Sequence, residues 1–293
     1  MEKYYRFAGV EVAVDIPEKW MYDNDRQLAP FRVSTVKDPH VFCFEPVASI
    51  PAPSGNMEVL LPGVRVYRED GQYVRYIGTV DEGWEKAYIR AEYGEKESCV
   101  QVRMSEPITH IGVKTVLNAM GAEHLVAEAG GFLFHCAYIA WNGRAILFTA
   151  PSGTGKSTQA ELWRNHRGAE IINGDRGAVC VSEGRVMAAG IPFSGSSSYC
   201  ENRSLPIAAI VYLSQAPKTS IRKLRGMEAF FKIWEGVSVN AWAKEDVERV
   251  ASAAQTVAEE IPVYHLACTP DESAVAALEA VMTQTAYDER KQE

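Results

Sequence analysis

Short alternating patterns of hydrophobic and polar residues dominate the first third of the chain. Residues 6–16 alternate in this way, which predicts a strand with one buried face. Residues 65–77 alternate on both sides of Asp70-Gly71, and this arrangement predicts a β-hairpin. No pattern in this region indicates catalysis, so we interpret residues 1–128 as a β-rich N-terminal subdomain.

The spacing of hydrophobic residues changes to that of a helix at residues 113–129, and Gly130-Gly131 ends the predicted helix. Two apolar runs follow, one on each side of Asn142-Gly143. Because both of these residues tolerate the positive φ angles of a type I′ turn, the pair predicts a tight hairpin.

The rest of the chain alternates predicted helices and strands. Predicted helices cover residues 157–166, 227–234, 244–260 and 272–287. Predicted strands cover residues 169–173, 206–213 and 263–267. Since an antiparallel hairpin accompanies these elements, we expect a mixed β-sheet instead of a doubly wound one. The predicted fold class is therefore α/β (α+β-like), with residues 129–293 forming the core and its helical C-terminal tail.

Composition and charge narrow the function classes. The chain has 293 residues, of which 47% are hydrophobic, and a formal net charge of -8. The negative charge argues against indiscriminate binding to nucleic acid or to a membrane surface. The N-terminus lacks the apolar core of a secretory signal, and no uncharged apolar run is long enough to span a membrane. We therefore expect a cytoplasmic protein whose six scattered cysteines are free thiols.

One motif carries a strong chemical signal. Residues 150–157 read APSGTGKS and fit the Walker A pattern, with a predicted strand before them and a predicted helix after them. The glycines let the backbone curl so that N–H groups point at phosphate oxygens, and the helix N-terminus adds its dipole. Lys156 supplies a charge for the β and γ phosphates, and the Ser157 hydroxyl is a ligand for Mg²⁺. The residues predicted to bind the nucleotide are Ser152, Gly153, Thr154, Gly155, Lys156, Ser157 and Thr158.

Two further residues fall near this motif in the predicted fold. In the hairpin register Trp141 faces Arg144, so that His135 faces Ala150. His135 is then a candidate proton shuttle, metal ligand or phosphate contact, or a histidine with a structural role. Asp175 follows the strand that a right-handed crossover lays beside the strand entering the motif. It is a candidate Mg²⁺ ligand or proton acceptor, or a simple turn residue.

Residues 135–176 resemble the catalytic core shared by HPr serine kinase/phosphorylase and phosphoenolpyruvate carboxykinase. The common pattern is a strand opening with a histidine, a hairpin turn, a Walker A loop and an Asp-Arg segment. Residues 190–195 (GIPFSG) and 201–207 (ENRSLPI) resemble two further segments of the carboxykinase. The resemblance extends over about residues 131–215, and it implies that Arg203 contacts the γ-phosphate.

The chain departs from this superfamily in three ways. HPr kinases usually carry two consecutive acids where this chain has Gly174-Asp175, which leaves the division between metal ligand and base open. Carboxykinases are much longer, and the C-terminal signature of HPr kinases is not recognisable. We therefore identify a compact, divergent relative of these P-loop kinases, similar to those found beside peptide-modification systems.

The expected function is Mg²⁺-dependent transfer of the γ-phosphoryl group of ATP to a hydroxyl acceptor, such as a Ser or Thr of a small protein or peptide. Lys156 and Arg203 would offset the charge on the transferred group. Ser157 and Asp175 would hold Mg²⁺, and Asp175 or His135 would handle the proton. The alternatives are a regulatory or assembly module that binds nucleotide with weak or no transfer, and a carboxykinase, which the short chain disfavours. Whether the phosphate donor is ATP, GTP or pyrophosphate stays open, as does whether the chain forms a homo-oligomer.

A serine-rich run at residues 195–199 (GSSSY) has three interpretations. It is an acceptor-facing loop, an autophosphorylated segment or a surface turn. Turn residues dominate its composition, and this favours the surface turn.

Overall fold

The chain folds into two compact units, Met1–Leu125 and Val126–Glu293. This division comes from a computed structural model, which describes residues 2–20, 27–78, 83–103, 110–182, 184–195, 197 and 199–290. The sequence had predicted a boundary between residues 128 and 129. Each unit is built on its own mixed β-sheet, so the chain is a mixed α/β protein and the predicted class is confirmed at this level.

The first unit contains one sheet and the start of a helical segment. Its strands are β1 (Glu2–Phe7), β2 (Val10–Asp15), β3 (Arg32–Val33), β4 (His40–Pro46), β5 (Asn56–Leu61), β6 (Val64–Glu69), β7 (Gln72–Ile77), β8 (Ile89–Glu92) and β9 (Glu97–Val102). They pair in the order β3-β1-β2-β4-β9-β8-β7-β6-β5, and β4 runs parallel to both of its neighbours. The hairpin predicted at Asp70-Gly71 is β6–β7 and is confirmed.

Two local predictions in this unit were too simple. Residues 6–16 form two strands instead of one, because Ala8-Gly9 makes a turn in which both residues have positive φ. Alanine rarely adopts that conformation, so its residue type gave no signal. Residues 113–129 form two helices, α1 (Val113–Met120) and α2 (Ala122–Glu128), because Gly121 has a φ of 66° and ends α1.

The second unit carries the predicted motif. Its strands are β10 (Gly131–Phe134), β11 (Cys136–Trp141), β12 (Arg144–Thr149), β13 (Glu170–Asn173), β14 (Gly177–Ser182), β15 (Arg185–Ala189), β16 (Ser204–Gln215), β17 (Ser220–Leu224), β18 (Val237–Ser238) and β19 (Val263–Cys268). Its helices are α3 (Lys156–Arg167), α4 (Gly226–Trp234), α5 (Lys244–Glu260) and α6 (Glu272–Arg290). The sheet order is β13-β11-β12-β16-β15-β14-β10-β18, with β19 between β16 and β17. The C-terminal part is therefore less purely helical than predicted.

Both faces of this sheet are covered by helices. Alternate residues of β12 point to opposite sides: Ile146 and Phe148 pack in the core cluster of α3 and α6, whereas Leu147 packs in that of α4 and α5. Trp163 of α3 is fully buried in the first cluster. The strand that leads into the motif is thus buried at the centre of a three-layer unit.

The hairpin register at Asn142-Gly143 is confirmed, because the pairing runs from Trp141↔Arg144 to Cys136↔Thr149.

The predicted position of β13 in the sheet, next to β12, is wrong. It does not lie beside β12 but pairs antiparallel with β11, which separates the two. The physical reason is that both edges of β12 are already occupied, one by its hairpin partner β11 and the other by β16.

Candidate functional site

The glycine-rich loop, residues 150–155, connects the end of β12 to the start of α3. Gly153 has a φ of 78° and Gly155 a φ of 121°, both in the region that favours glycine. A Cβ at either position would meet no described atom within 4 Å, so the backbone conformation, and not the space, calls for glycine. Gly155 is the N-cap residue of α3, and the free N–H groups of the first helical turn therefore face the loop.

Lys156 is folded back over this loop. Its Nζ donates hydrogen bonds to the carbonyl oxygens of Ala150 at 3.0 Å and Pro151 at 3.4 Å. The side chain is only 7% exposed, and burial lowers the pKa of Lys156. The charged ammonium group is thus held by two neutral acceptors of the loop itself.

The other predicted nucleotide-binding side chains are more accessible. Ser152, Ser157 and Thr158 are exposed. Ser157 Oγ donates to the carbonyl oxygen of Gly174 at 3.4 Å, which brings the hydroxyl next to the turn that carries Asp175.

His135 and Asp175 form a pair at the same edge of the sheet. His135 Nε2 lies 3.3 Å from Asp175 Oδ1, and about a third of each side chain is exposed. The hydrogen bond from His135 is the largest cause that lowers the pKa of Asp175, and the charges of Arg176 and Lys156 act in the same direction. The carboxylate is therefore stabilised in its ionised form.

The backbone of His135 is anchored on both sides. This single residue separates β10 from β11, and its N–H donates to the carbonyl oxygen of Gly236 at 2.7 Å. Its own carbonyl oxygen accepts a hydrogen bond from Thr149 Oγ1 at 3.0 Å. Sequence analysis had treated residues 132–141 as one continuous apolar run, so it placed the histidine correctly but missed this break.

Asn173 positions Asp175, and sequence analysis missed it. Its Oδ1 accepts the backbone N–H groups of Asp175 at 3.1 Å and Arg176 at 3.0 Å, while its Nδ2 donates to the carbonyl oxygen of Phe193 at 2.8 Å. The side chain is fully buried. An asparagine before Gly-Asp at the end of a strand is the available signal, because asparagine commonly bonds to the backbone two residues further on.

The turn that carries Asp175 is closely covered by residues 193–195 and by Ser197. A Cβ on Gly174 would lie 2.2 Å from Ser197 Oγ and 2.6 Å from Ser197 Cβ. A Cβ on Gly195 would lie 2.6 Å from Asp175 Oδ2. A side chain at position 174 would therefore displace Ser197 in this arrangement. Of the serine-rich run, Ser196 and Ser198 lie outside the described residues.

Arg203 does not lie beside the His135–Asp175 pair. Residues 200–203 run antiparallel beside β13, from the bridge between Asn173 and Cys200 towards Glu170. Arg203 Nη1 donates to Glu170 Oε2 at 2.8 Å. Because Glu170 and Asn173 are at opposite ends of β13, this ion pair lies about 10 Å along the strand from the Asp175 turn.

Arg176 is the arginine that lies beside Asp175. Its Nε is 3.9 Å from Asp175 Oδ2, its guanidinium carbon lies 5.6 Å from the centre of the Phe193 ring, and its Nη1 donates to Ser238 Oγ at 3.2 Å. The buried Nε has no hydrogen-bond partner within the described part of the chain. Arg176, and not Arg203, is thus the arginine that the structure places beside Asp175.

Hard oxygen donors are present for a divalent cation. Within the described residues, no group of three or more His, Cys, Asp or Glu side chains is arranged to hold a metal ion. Mg²⁺ in nucleotide sites, however, is bound by one or two protein oxygens together with phosphates and water. Ser157 and Asp175 fit that donor set, since the Ser157 hydroxyl contacts the residue that precedes Asp175.

An open cavity of about 570 Å³ adjoins the loop. Gly153, Thr154 and Gly155 contribute to its lining, together with α3 and the ends of β16 and β19. Its volume is in the range of ligand-binding pockets.

Over the part of the chain that the structure describes, no helix is both long and apolar enough to traverse a bilayer. All six cysteines are described and free, as predicted.

Fold and site together define a mixed α/β protein in which a glycine-rich loop joins a strand to a helix beside a His–Asp pair. A family model described as SynChlorMet cassette protein ScmC matches residues 99–282, and the chain belongs to this family. Among solved structures, the HPr(Ser) kinase/phosphatase from Coxiella burnetii is similar at 9% identity and a TM-score of 0.32, over 55% of this chain and 97% of that one. This TM-score is too low to establish a shared fold. No curated protein matches the chain.

Proposed function

We propose that this protein binds ATP with Mg²⁺ at the glycine-rich loop and transfers the γ-phosphoryl group to a hydroxyl acceptor. One observation carries the proposal: the loop with Lys156 and the His135–Asp175 pair lie together at one edge of the sheet. Lys156 is close enough to Asp175 to contribute to its lowered pKa. The resemblance of residues 131–215 to P-loop kinases supports the same assignment.

The loop supplies the phosphate site. Backbone N–H groups at the start of α3 and the helix dipole favour an anion at this point. Burial lowers the pKa of Lys156, and only neutral carbonyl oxygens contact its Nζ among the described atoms. Phosphate oxygens would replace those carbonyls with a full negative charge, so the interaction of Lys156 strengthens when nucleotide binds.

Ser157 and Asp175 are the residues that would hold Mg²⁺, which neutralises charge on the phosphates. The pKa of Asp175 is lowered, first by the hydrogen bond from His135, so the carboxylate is ionised at neutral pH and suited to this role.

The acceptor would be activated at the His135–Asp175 pair. Its hydroxyl oxygen attacks the γ-phosphorus, the bond to the β–γ bridging oxygen breaks, and ADP leaves. The hydroxyl proton passes to Asp175 directly or to His135, which lies within hydrogen-bond reach of Asp175. Arg176 offsets charge on the transferred group, in place of the Arg203 that the sequence predicted.

A second function is a regulatory or assembly module that binds nucleotide and transfers little or nothing. The observation in its favour is Gly174, where Ser197 occupies the space that a second acidic side chain needs. With one carboxylate at this turn, metal binding and proton removal compete for Asp175.

Label transfer distinguishes the two functions. γ-Labelled ATP and Mg²⁺ are added to a host-cell extract with wild type, Lys156→Ala or Asp175→Asn, and label is measured in protein, peptide and small-molecule fractions. Lys244→Ala is the matched control, since Lys244 is 88% exposed on α5. We expect label in one fraction with wild type and the control only. No transfer by a wild type that binds ATP would overturn the kinase proposal and favour the module.

A further inference from the structure

The cavity beside the glycine-rich loop differs in charge from the group around Asp175. Lys156, Asp175, His135 and Arg176 lie together, and none of them lines the cavity of about 570 Å³. The described residues that line it include no charged side chain. A cavity of this kind does not suit a second phosphate or a charged acceptor, but it suits a neutral ligand.

The cavity wall contains an unsatisfied hydrogen-bond acceptor. Gln159 of α3 lines the cavity and is only 3% exposed. Its Nε2 donates to Cys268 Sγ at 3.3 Å, which orients the amide, and its Oε1 has no hydrogen-bond partner among the described residues. Buried polar atoms are nearly always paired, so a ligand that brings a donor to this oxygen would satisfy it.

The remaining lining combines apolar and neutral polar residues. Leu213, Pro217 and Pro270 provide apolar surface, and Gln215 connects the wall to the loop by donating to the Thr154 carbonyl oxygen at 3.4 Å. The loop residues Gly153 and Gly155 belong to the same lining. A ligand in the cavity is therefore continuous with a phosphate chain on the loop.

We propose that this cavity binds an adenine base and that Gln159 selects adenine over guanine. This inference rests on the proposed function, because the phosphates of the same nucleotide occupy the loop. Adenine carries an exocyclic amino group that donates a hydrogen bond to Gln159 Oε1, whereas guanine presents a carbonyl oxygen at the equivalent position. With guanine, two acceptors face each other and the buried oxygen stays unpaired.

Calorimetric titration of the wild-type protein tests the base site without any substitution. ATP, GTP and inorganic tripolyphosphate are compared, each with Mg²⁺. We expect ATP to bind at least about tenfold more tightly than either of the others. Equal affinity for all three ligands would overturn the base site while leaving the phosphate site intact. Failure of all three to bind would overturn the proposed function and the inference with it.

A substitution assigns the selectivity to Gln159. Gln159→Met keeps the length of the side chain and removes the acceptor. We expect it to bring the affinities for ATP and GTP within about twofold and to leave that for tripolyphosphate unchanged. Gln255→Met, at an exposed position of α5, is the matched control and should keep the preference for ATP. An unchanged preference in Gln159→Met would overturn the role of Gln159, and the tripolyphosphate titration verifies that the variant is folded.

Discussion

His135 Nε2 lies 3.3 Å from Asp175 Oδ1, although the two residues belong to separate elements of the chain. They meet because the β10–β11 junction and the turn after β13 both lie at the edge of the sheet where β12 ends. The imidazole lowers the pKa of Asp175, and the buried Asn173 fixes the turn. The pair is therefore a product of the sheet topology and of one asparagine.

The stability of the fold at low pH depends on the ionised carboxylate of Asp175. The folded pKa of Asp175 lies below its ordinary value of 3.8, so the ionised carboxylate stabilises the folded state above that pH. The stabilisation is lost as the pH falls below 3.8 through the folded pKa. We expect Asp175→Asn to lower the melting temperature at neutral pH and to differ less from wild type in acid. A difference that stays constant across both conditions in thermal denaturation would contradict this assignment.

Close packing at Gly174 predicts a specific rescue. Gly174→Ala places a methyl group against Ser197, and we expect it to lower the free energy of unfolding by about 1–3 kcal/mol. Ser197→Gly removes the atoms that clash, so the double variant should recover most of the loss. Chemical denaturation of the two single variants and the double variant measures the coupling. Additive effects would show that Ser197 does not cause the strain.

The two arginines should behave differently. Arg176→Met removes a cation beside Asp175, and we expect phosphoryl transfer to fall roughly 100-fold with little change in ATP affinity. Arg203→Met breaks an ion pair with Glu170 at the other end of β13 and should change transfer less than about threefold. Steady-state rates and ATP titration of both variants check this. A large loss of transfer in Arg203→Met alone would restore the residue that the sequence predicted.

Asn173 is expected to be essential for the shape of the turn. Asn173→Ala leaves two backbone N–H groups and one carbonyl oxygen without their partner, at a cost of about 1–3 kcal/mol in unfolding free energy. Because Asp175 is then no longer held, transfer should fall further than stability alone explains. Measurement of both quantities at a temperature where the variant is folded separates the effects. Full activity of a destabilised variant would assign Asn173 a purely structural role.

Local signals account for what the sequence predicted. Asn142-Gly143 fixes its hairpin by turn chemistry alone, and the position of His135 opposite the loop followed from that register. The place of β13 could not be predicted in this way, because it depends on which strand edges other elements occupy. Arg203 was misplaced for a similar reason: its position depends on the path of residues 200–203 beside β13. Asn173 offered a local signal through its bonds to the N–H groups of Asp175 and Arg176, whereas its bond to the Phe193 carbonyl oxygen joins a loop distant in the chain and could not be predicted.

The single-residue junction at His135 has a consequence for how sequences of this family can vary. β10 and β11 are buried along almost their whole length, and they pair with different neighbours on either side of this one residue. An insertion or deletion here would turn every side chain of β11 to the opposite face of the sheet. Family members that keep the histidine should therefore show no gaps between positions 131 and 141 when aligned, whereas length changes should accumulate in surface loops. The spacing at this point therefore fixes which face of the sheet every side chain of β11 occupies, independently of the identity of the histidine.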